Sequence, residues 1–481
     1  MARTLNRDEI GPLMEKLRQA NHAMAMVYPG DSPDRQPVHT VYGGAHLFKA
    51  DTAIKLGELS RGALRDNAPD FAALARALEL PGAASLPGTV QGVTELKSRI
   101  EENRDFMKRE NPAAVLLYTI YERVQNKLER EAVEDFRIDF EDGYGNRPDA
   151  EEDEQARIAA EETALGMKNG TLPPFIGIRI KPLTEELKDR ATATLDIYVS
   201  TLLEAAGGRL PDNFVITIPK VIIPEQVETV CELLGIIEKK YNLPNGTLKV
   251  ELMVETTQSI LSDHGRATLP LLVKAAHGRC RGAHFGTYDY TASCNITAAY
   301  QAMDHQACDF AKHVMKVTLA GTGLMLSDGA TNVMPVGPHR RSKDGPSLTF
   351  EEVAENREVV HRSWRLAYGH VRHSLVNGFY QGWDLHPAQF IVRYAALYTF
   401  FLESLPDASH RLKNFIEKAA QATLVGDVFD DAATGQGLLN FFLRALSCGA
   451  ITENEILATG LTLEEIRGRS FAKILNRRRS S

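Results

Sequence analysis

The reading of the fold starts from LKVELMVET (248–256) and RGAHFGTYDY (281–290). Leu252, Met253 and Val254 run straight into Glu255, and Ala283, His284 and Phe285 lead through Gly286 to Asp289. Each apolar run has the length of a buried strand, and each ends on a carboxylate. In a parallel α/β sheet, ligands bind at the C-terminal ends of the strands. Two carboxylates at such ends can hold one hard cation, Mg²⁺ or alternatively Mn²⁺, with positions left open for substrate oxygens. Either acid alone reads equally well as a helix cap or a solvated loop acid; the pair favours a site.

Outward from this stretch the chain alternates. Strands are expected in QPVHTVYGGA (36–45), DFRIDFEDGYG (135–145), PFIGIRIKP (174–182), NFVITIPKV (213–221), LAGTGLMLSDG (319–329) and GFYQGWDLHPAQF (378–390). Helices are expected at 8–26, 151–166, 185–206, 225–241, around 259–276, 295–318 and 350–377. Residues 50–130 read as mostly helical, broken by a Pro/Gly-rich stretch at 80–92. Eight strand-like units joined by helices predict a parallel sheet with right-handed crossovers, closed as an α/β (β/α)8 TIM barrel. An open doubly wound sheet is the alternative.

The expected domains are an N-terminal helix and loop (1–36), the barrel (37–390, with a mostly helical insertion at about 60–130) and a C-terminal domain of helices only (391–481). Thr452 with Glu455, and Thr462 with Glu465, read as capping boxes in that last domain.

Composition narrows the partners. The chain of 481 residues has 43% hydrophobic and 25% charged residues, as expected of a globular protein. A net charge of −8 speaks against general nucleic-acid binding. No apolar run approaches 18 residues, so no membrane span is expected. The five cysteines show no CxxC pair and read as free thiols of a reducing, cytoplasmic setting. No GxGxxG or GxxxxGK[ST] follows a strand.

The strand ends collect Asp139, Glu141, Asp142, Arg179, Lys181, Lys220, Glu255, Asp289, Asp328, Asp384 and His386 in one mouth. Such a mouth suits an anionic substrate with a carboxylate and a neighbouring carbonyl, clamped by the planar fork of Arg179. Arg179 and Lys220 serve equally as ion-pair partners of the acids. His386 before Pro387 suits a structural histidine, and Ser-Asp-Gly at 327–329 is a good turn.

In this order, DFEDG (139–143), IRI (178–180), PKV (219–221), VET (254–256), FGTYDY (285–290), SDG (327–329) and GFYQGWDLHPAQ (378–389) resemble the HpcH/HpaI aldolase and citrate lyase β-subunit-like superfamily, which includes malate synthases. The resemblance implies a phosphoenolpyruvate/pyruvate-type TIM barrel with Mg²⁺ on Glu255 and Asp289. It implies 2-oxoacid binding near Arg179, with Asp142, Gly286, Thr287 and His386 as further substrate contacts. The reaction implied is reversible cleavage or formation of a carbon–carbon bond. DVFDDAATGQGLL (427–439) is similar to the malate synthase stretch that carries the general base, which places that base at Asp431 and a CoA thioester among the co-substrates. The sequence departs from malate synthases at Thr287, where those enzymes carry arginine, and no CoA-binding segment is identified.

Three functions follow. The first is a Mg²⁺-dependent carbon–carbon lyase or synthase on a 2-oxoacid or its aldol or acyl-CoA adduct, with malate synthase-like condensation of acetyl-CoA as a variant. The second is a metal-free route through a Schiff base on Lys220. The third is a silent barrel serving as a binding or scaffold subunit. A homo-oligomer is expected by analogy.

Overall fold

The computed structural model describes residues 5–32, 34–340, 347–417, 423–425, 428–430, 432–457, 460–468 and 474. Eight strands form the centre: β1 (His39–Gly44), β2 (Asp135–Asp139), β3 (Phe175–Arg179), β4 (Phe214–Ile218), β5 (Lys249–Val254), β6 (Cys280–Phe285), β7 (Met325–Ala330) and β8 (Gln381–Trp383). Each runs parallel to the next, and β8 pairs with β1 through His39–Gly382 and Thr40–Trp383, closing the barrel. The structure is therefore a closed (β/α)8 barrel, not an open sheet.

Alternation along the strands explains closure. On β2, Phe136 and Ile138 face the helical shell while Asp135, Arg137 and Asp139 face the axis, reaching Thr217, Glu251 and Arg179. The outer faces of the central strands are mostly apolar and buried, as with Ile176, Ile178, Ile216, Leu252, Val254 and Phe285. The hydrophobic core is thus a sleeve between barrel and helices. The helix Pro387–Glu417 follows β8 and packs on the helices Thr52–Asn67, Pro112–Arg130 and Phe350–Val376.

Some expected elements differ. The helix expected around 259–276 is two, Thr257–Ile260 and Leu269–Ala275, because Gly265 turns the chain at φ +68° between them. The helix expected at 295–318 starts later, at Gln306, and a separate short helix Thr287–Ser293 begins directly after β6. Beyond β8 the chain is not helices only. β9 (Thr423–Val425) and β10 (Val428–Asp430) form a two-stranded antiparallel sheet. At three residues each, they are too short to show an alternating pattern. Both capping boxes form: the Thr452 and Thr462 hydroxyls accept from the Glu455 and Glu465 N–H, and each glutamate accepts in return. The N-terminal helix α1 (Arg7–Val27) stands off the barrel, tied back where the Gly30 N–H donates to the Gly321 carbonyl at 2.8 Å.

Candidate active site

The mouth is built from the residues just past β2, β3, β4, β5 and β6. Glu255 follows β5 and is 1% exposed. One of its oxygens accepts from the Lys220 N–H at 2.7 Å. To present that N–H, Lys220 takes a left-handed φ of +50°, a conformation uncommon for a residue with a Cβ. The Lys220 ammonium turns back over the acids, in contact with Glu141, 3.5 Å from Asp142 and 3.4 Å from Asp289. Gly286 is required here by close approach, because a Cβ would lie 2.6 Å from the Glu255 Cβ and Oε2.

Arg179 forms the second half of the mouth. Its Nε and Nη2 donate to both Asp139 oxygens at 2.7 and 2.6 Å, and its Nη1 lies 3.0 Å from Glu141 and 3.7 Å from Asp142. Its guanidinium also covers the Tyr42 ring at 4.9 Å. The expected clamp is therefore already occupied by protein carboxylates, as the ion-pair alternative anticipates, and only Nη1 faces the more exposed acids.

Charge decides what this cluster can do. Asp139, Glu141, Asp142, Glu255 and Asp289 face two cations, Arg179 and Lys220, which leaves negative charge uncompensated. Burial pushes the Glu255 carboxyl up to about 8; Lys220 and Arg179 oppose the rise, and Asp289 and Glu141 add to it. Burial likewise raises Glu141. For Asp142 burial works the same way, but Arg179 and Lys220 outweigh it and hold the group low. Burial disfavours the Lys220 charge, yet Glu255, Glu141 and Asp289 outweigh it and keep the amine protonated above its ordinary range. Schiff-base lysines are desolvated amines free of carboxylate partners, whereas Lys220 is paired with Glu141, Asp142 and Asp289.

Several residues collected at the mouth by sequence lie elsewhere. Lys181 points into the helical shell, donating to the Phe140 carbonyl at 2.6 Å and pairing with Glu152 at 2.9 Å. Asp328 is also turned outward, accepting from Lys312 at 3.0 Å and from the Ser374 hydroxyl at 2.6 Å. Asp384 is buried between Arg393 at 2.9 Å and the His39 Nδ1 at 2.7 Å. In each case a buried acid or amine finds its partner behind the strand rather than over the mouth. His386 caps the following helix, its Nδ1 accepting from the Ala388 N–H at 3.1 Å, and burial lowers its pKa. Thr287 is 2% exposed with a hydroxyl that has no partner. Asp431 lies outside the described residues.

Other groups at the mouth escaped sequence reading. Tyr42 ends β1 with its ring 4.4 Å from that of Trp383, and its hydroxyl is 3.0 Å from the His284 Nδ1. Below it, His284 and Arg137 each meet Glu251 at 2.9 Å, and Arg137 also pairs with Asp135. The axis of the barrel is thus ionic, not apolar. Burial alone would raise the Glu251 carboxyl, but Arg137 and His284 hold it well below the usual carboxylate range. The signal was there: Glu251, Met253 and Glu255 alternate with Leu252 and Val254, as Asp135, Arg137 and Asp139 do on β2. Buried polar atoms without a hydrogen-bond partner also lie near the mouth, on His46, Thr287 and Trp383. Such atoms in a folded protein ask for a ligand, ion or water.

A divalent cation fits this donor set. Glu255 and Asp289 offer hard oxygens, and the missing side chain of Gly286 lets its backbone pack directly against Glu255. Among the described residues no group of three His, Cys, Asp or Glu is arranged to hold a metal. Two carboxylates still suffice for Mg²⁺, which keeps several waters or substrate oxygens in its shell.

Solved structures similar to this chain include a citrate lyase, CitE and a malate synthase. A citrate lyase from Burkholderia xenovorans LB400 matches at 18% identity and a TM-score of 0.50, covering 70% of this chain and 91% of that one. CitE from Mycobacterium tuberculosis, solved with magnesium, acetoacetate and coenzyme A, matches at 16% identity and 0.41, covering 68% and 94%. A malate synthase from Haloferax volcanii matches at 15% and 0.39, covering 59% and 75%. At 18% identity the likeness to the citrate lyase bears on the fold and on nothing of the chemistry. The chain itself belongs to the family described as a domain of unknown function (DUF6986), which matches residues 17–474. No curated protein matches it.

Proposed function

We propose that this protein is a divalent-cation-dependent carbon–carbon lyase or synthase. Its substrate is a 2-oxoacid, or the aldol or acyl-CoA adduct of one. The observation that carries this reading is the excess of carboxylates over cations around the buried Glu255 at the mouth of the barrel.

In this reading Glu255 and Asp289 hold Mg²⁺, with Mn²⁺ as a substitute of the same oxygen preference. A bound cation would polarise a substrate carbonyl and offset the negative charge that develops on an enolate. The protein supplies the rest. The left-handed backbone of Lys220 fixes the Glu255 carboxylate through its N–H. The Lys220 ammonium, held charged, sits where it can attract an anionic carboxylate. Arg179 keeps Asp139, Glu141 and Asp142 in place and leaves Nη1 on the substrate side. Thr287, Gly286 and Asp142 line the same space, and His386 retains its Nε2 for a substrate contact. In the synthase variant, Asp431 takes the proton from the CoA thioester.

The test is turnover with pyruvate, glyoxylate and oxaloacetate, alone and with acetyl-CoA, in EDTA and after restoring Mg²⁺. The expected result is activity abolished by EDTA, recovered with Mg²⁺, and lost in Glu255→Ala. Turnover that survives both EDTA and Glu255→Ala would overturn the proposal.

A further inference from the structure

The helix α1 (Arg7–Val27) carries an unused heptad seam. Ile10, Leu13, Leu17, Ala20, Met24 and Val27 follow one another at intervals of three, four, three, four and three. That is the a/d spacing of a coiled coil. Among the described residues nothing covers most of it: Leu13, Leu17, Met24 and Val27 are 63, 51, 60 and 57% exposed. The far face is polar and self-satisfied, with Glu15 accepting from Arg18 and Gln19. Most helical stability in proteins comes from packing of an apolar face, and α1 is weakened further by Gly11 and Pro12. Its stability therefore has to come from a packed partner.

We infer that this seam pairs with the α1 of a second copy, antiparallel, as a dimerisation element of the full chain. Volume favours that orientation. About a twofold axis between residues 18 and 19, Ile10 faces Val27, Leu13 faces Met24, and Leu17 faces Ala20 of the other copy. The gap left by the small Ala20 is filled by Leu17, whereas a parallel pair would set alanine against alanine. The flanks oppose Met14 to Asn21 and Lys16 to Ala23, with no like charges in contact. Each large apolar side chain hides on the order of 100 Å² when covered. The seam with Met14 at its edge then brings about 600 Å² per helix, near the roughly 800 Å² per partner of a stable specific interface. A membrane surface is a poorer occupant, because Arg7, Lys16 and Arg18 are balanced by Asp8, Glu9 and Glu15 and no basic face results.

The experiment is sedimentation equilibrium on the full chain and two variants. The wild type is expected to be dimeric, and Leu13→Glu/Leu17→Glu to be monomeric, with the melting of the barrel unchanged and circular dichroism reduced by no more than the 21 residues of α1, since neither residue lies in the core. The exchange Leu17→Ala/Ala20→Leu restores the same layer and is expected to remain dimeric. A monomeric wild type, a wild-type mass in the double glutamate variant, or dissociation of the exchange variant would overturn the pairing.

Discussion

Glu255 combines near-complete burial, a hydrogen bond from a strained backbone and a carboxyl pushed up to about 8. A cation must displace the proton held there at neutral pH, so Mg²⁺ binding at pH 7 should release close to one proton and weaken as the solution becomes more acidic. Calorimetry in buffers of different ionisation heat reads this release directly; an enthalpy independent of buffer would contradict it. Gly286→Ala tests the same site by shape. Its Cβ would press on the buried Glu255, which must shift, so metal binding should fall at least tenfold and the melting temperature should fall as well. Equal affinity in this variant would show that the space beside Glu255 is not used.

Asp384 titrates in the other direction. Burial opposes its ionisation, but Arg393 and His39 outweigh it and hold the carboxyl at about 2, against an ordinary 3.8. A depressed carboxylate stabilises the fold above its unfolded pKa, and that contribution is lost as pH falls from about 4 toward 2, amounting to about 2 kcal/mol. Asp384→Asn should therefore flatten the acid limb of a stability–pH curve; an unchanged limb would rule the pair out as a source of acid sensitivity.

Among the elements, β2 and β5 carry the ionic axis of the barrel. Arg137 is bonded to Asp135, Glu251 and Thr217 at once. Arg137→Met leaves two buried carboxylates without their cation and should cost about 3–5 kcal/mol, measured by urea unfolding. A loss below 1 kcal/mol would mean that water enters the axis. These strands also show what the sequence could convey. The eight strands, and the place of Glu255 and Asp289 just after β5 and β6, are legible because apolar runs followed by acids mark strand ends. The side of the strand on which an acid lands was less so. Asp328 and Asp384 sit at strand ends like Glu255, but their partners, Lys312 and Arg393, come from helices whose packing no local pattern reveals. The short pair β9–β10 was invisible for want of length.

At the scale of the whole molecule, a closed barrel gathers five carboxylates at or just past its strand ends, two cations and several polar atoms without hydrogen-bond partners at one rim. Tyr42, His46 and Trp383 complete that rim, yet only closure brings β1 beside β8; along the chain they are hundreds of residues apart. No helix among the described residues is long and apolar enough to cross a membrane. The barrel supplies rigidity, α1 a surface for assembly, and the mouth a site whose charge calls for a cation. Calorimetric titration of the EDTA-stripped protein with Mg²⁺, followed by pyruvate, glyoxylate and oxaloacetate, tests that claim most directly. The account predicts saturable Mg²⁺ binding in the wild type, none in Glu255→Gln, and binding of an oxoacid only after the metal. Absence of Mg²⁺ binding in the wild type, or equal binding in Glu255→Gln, would contradict it.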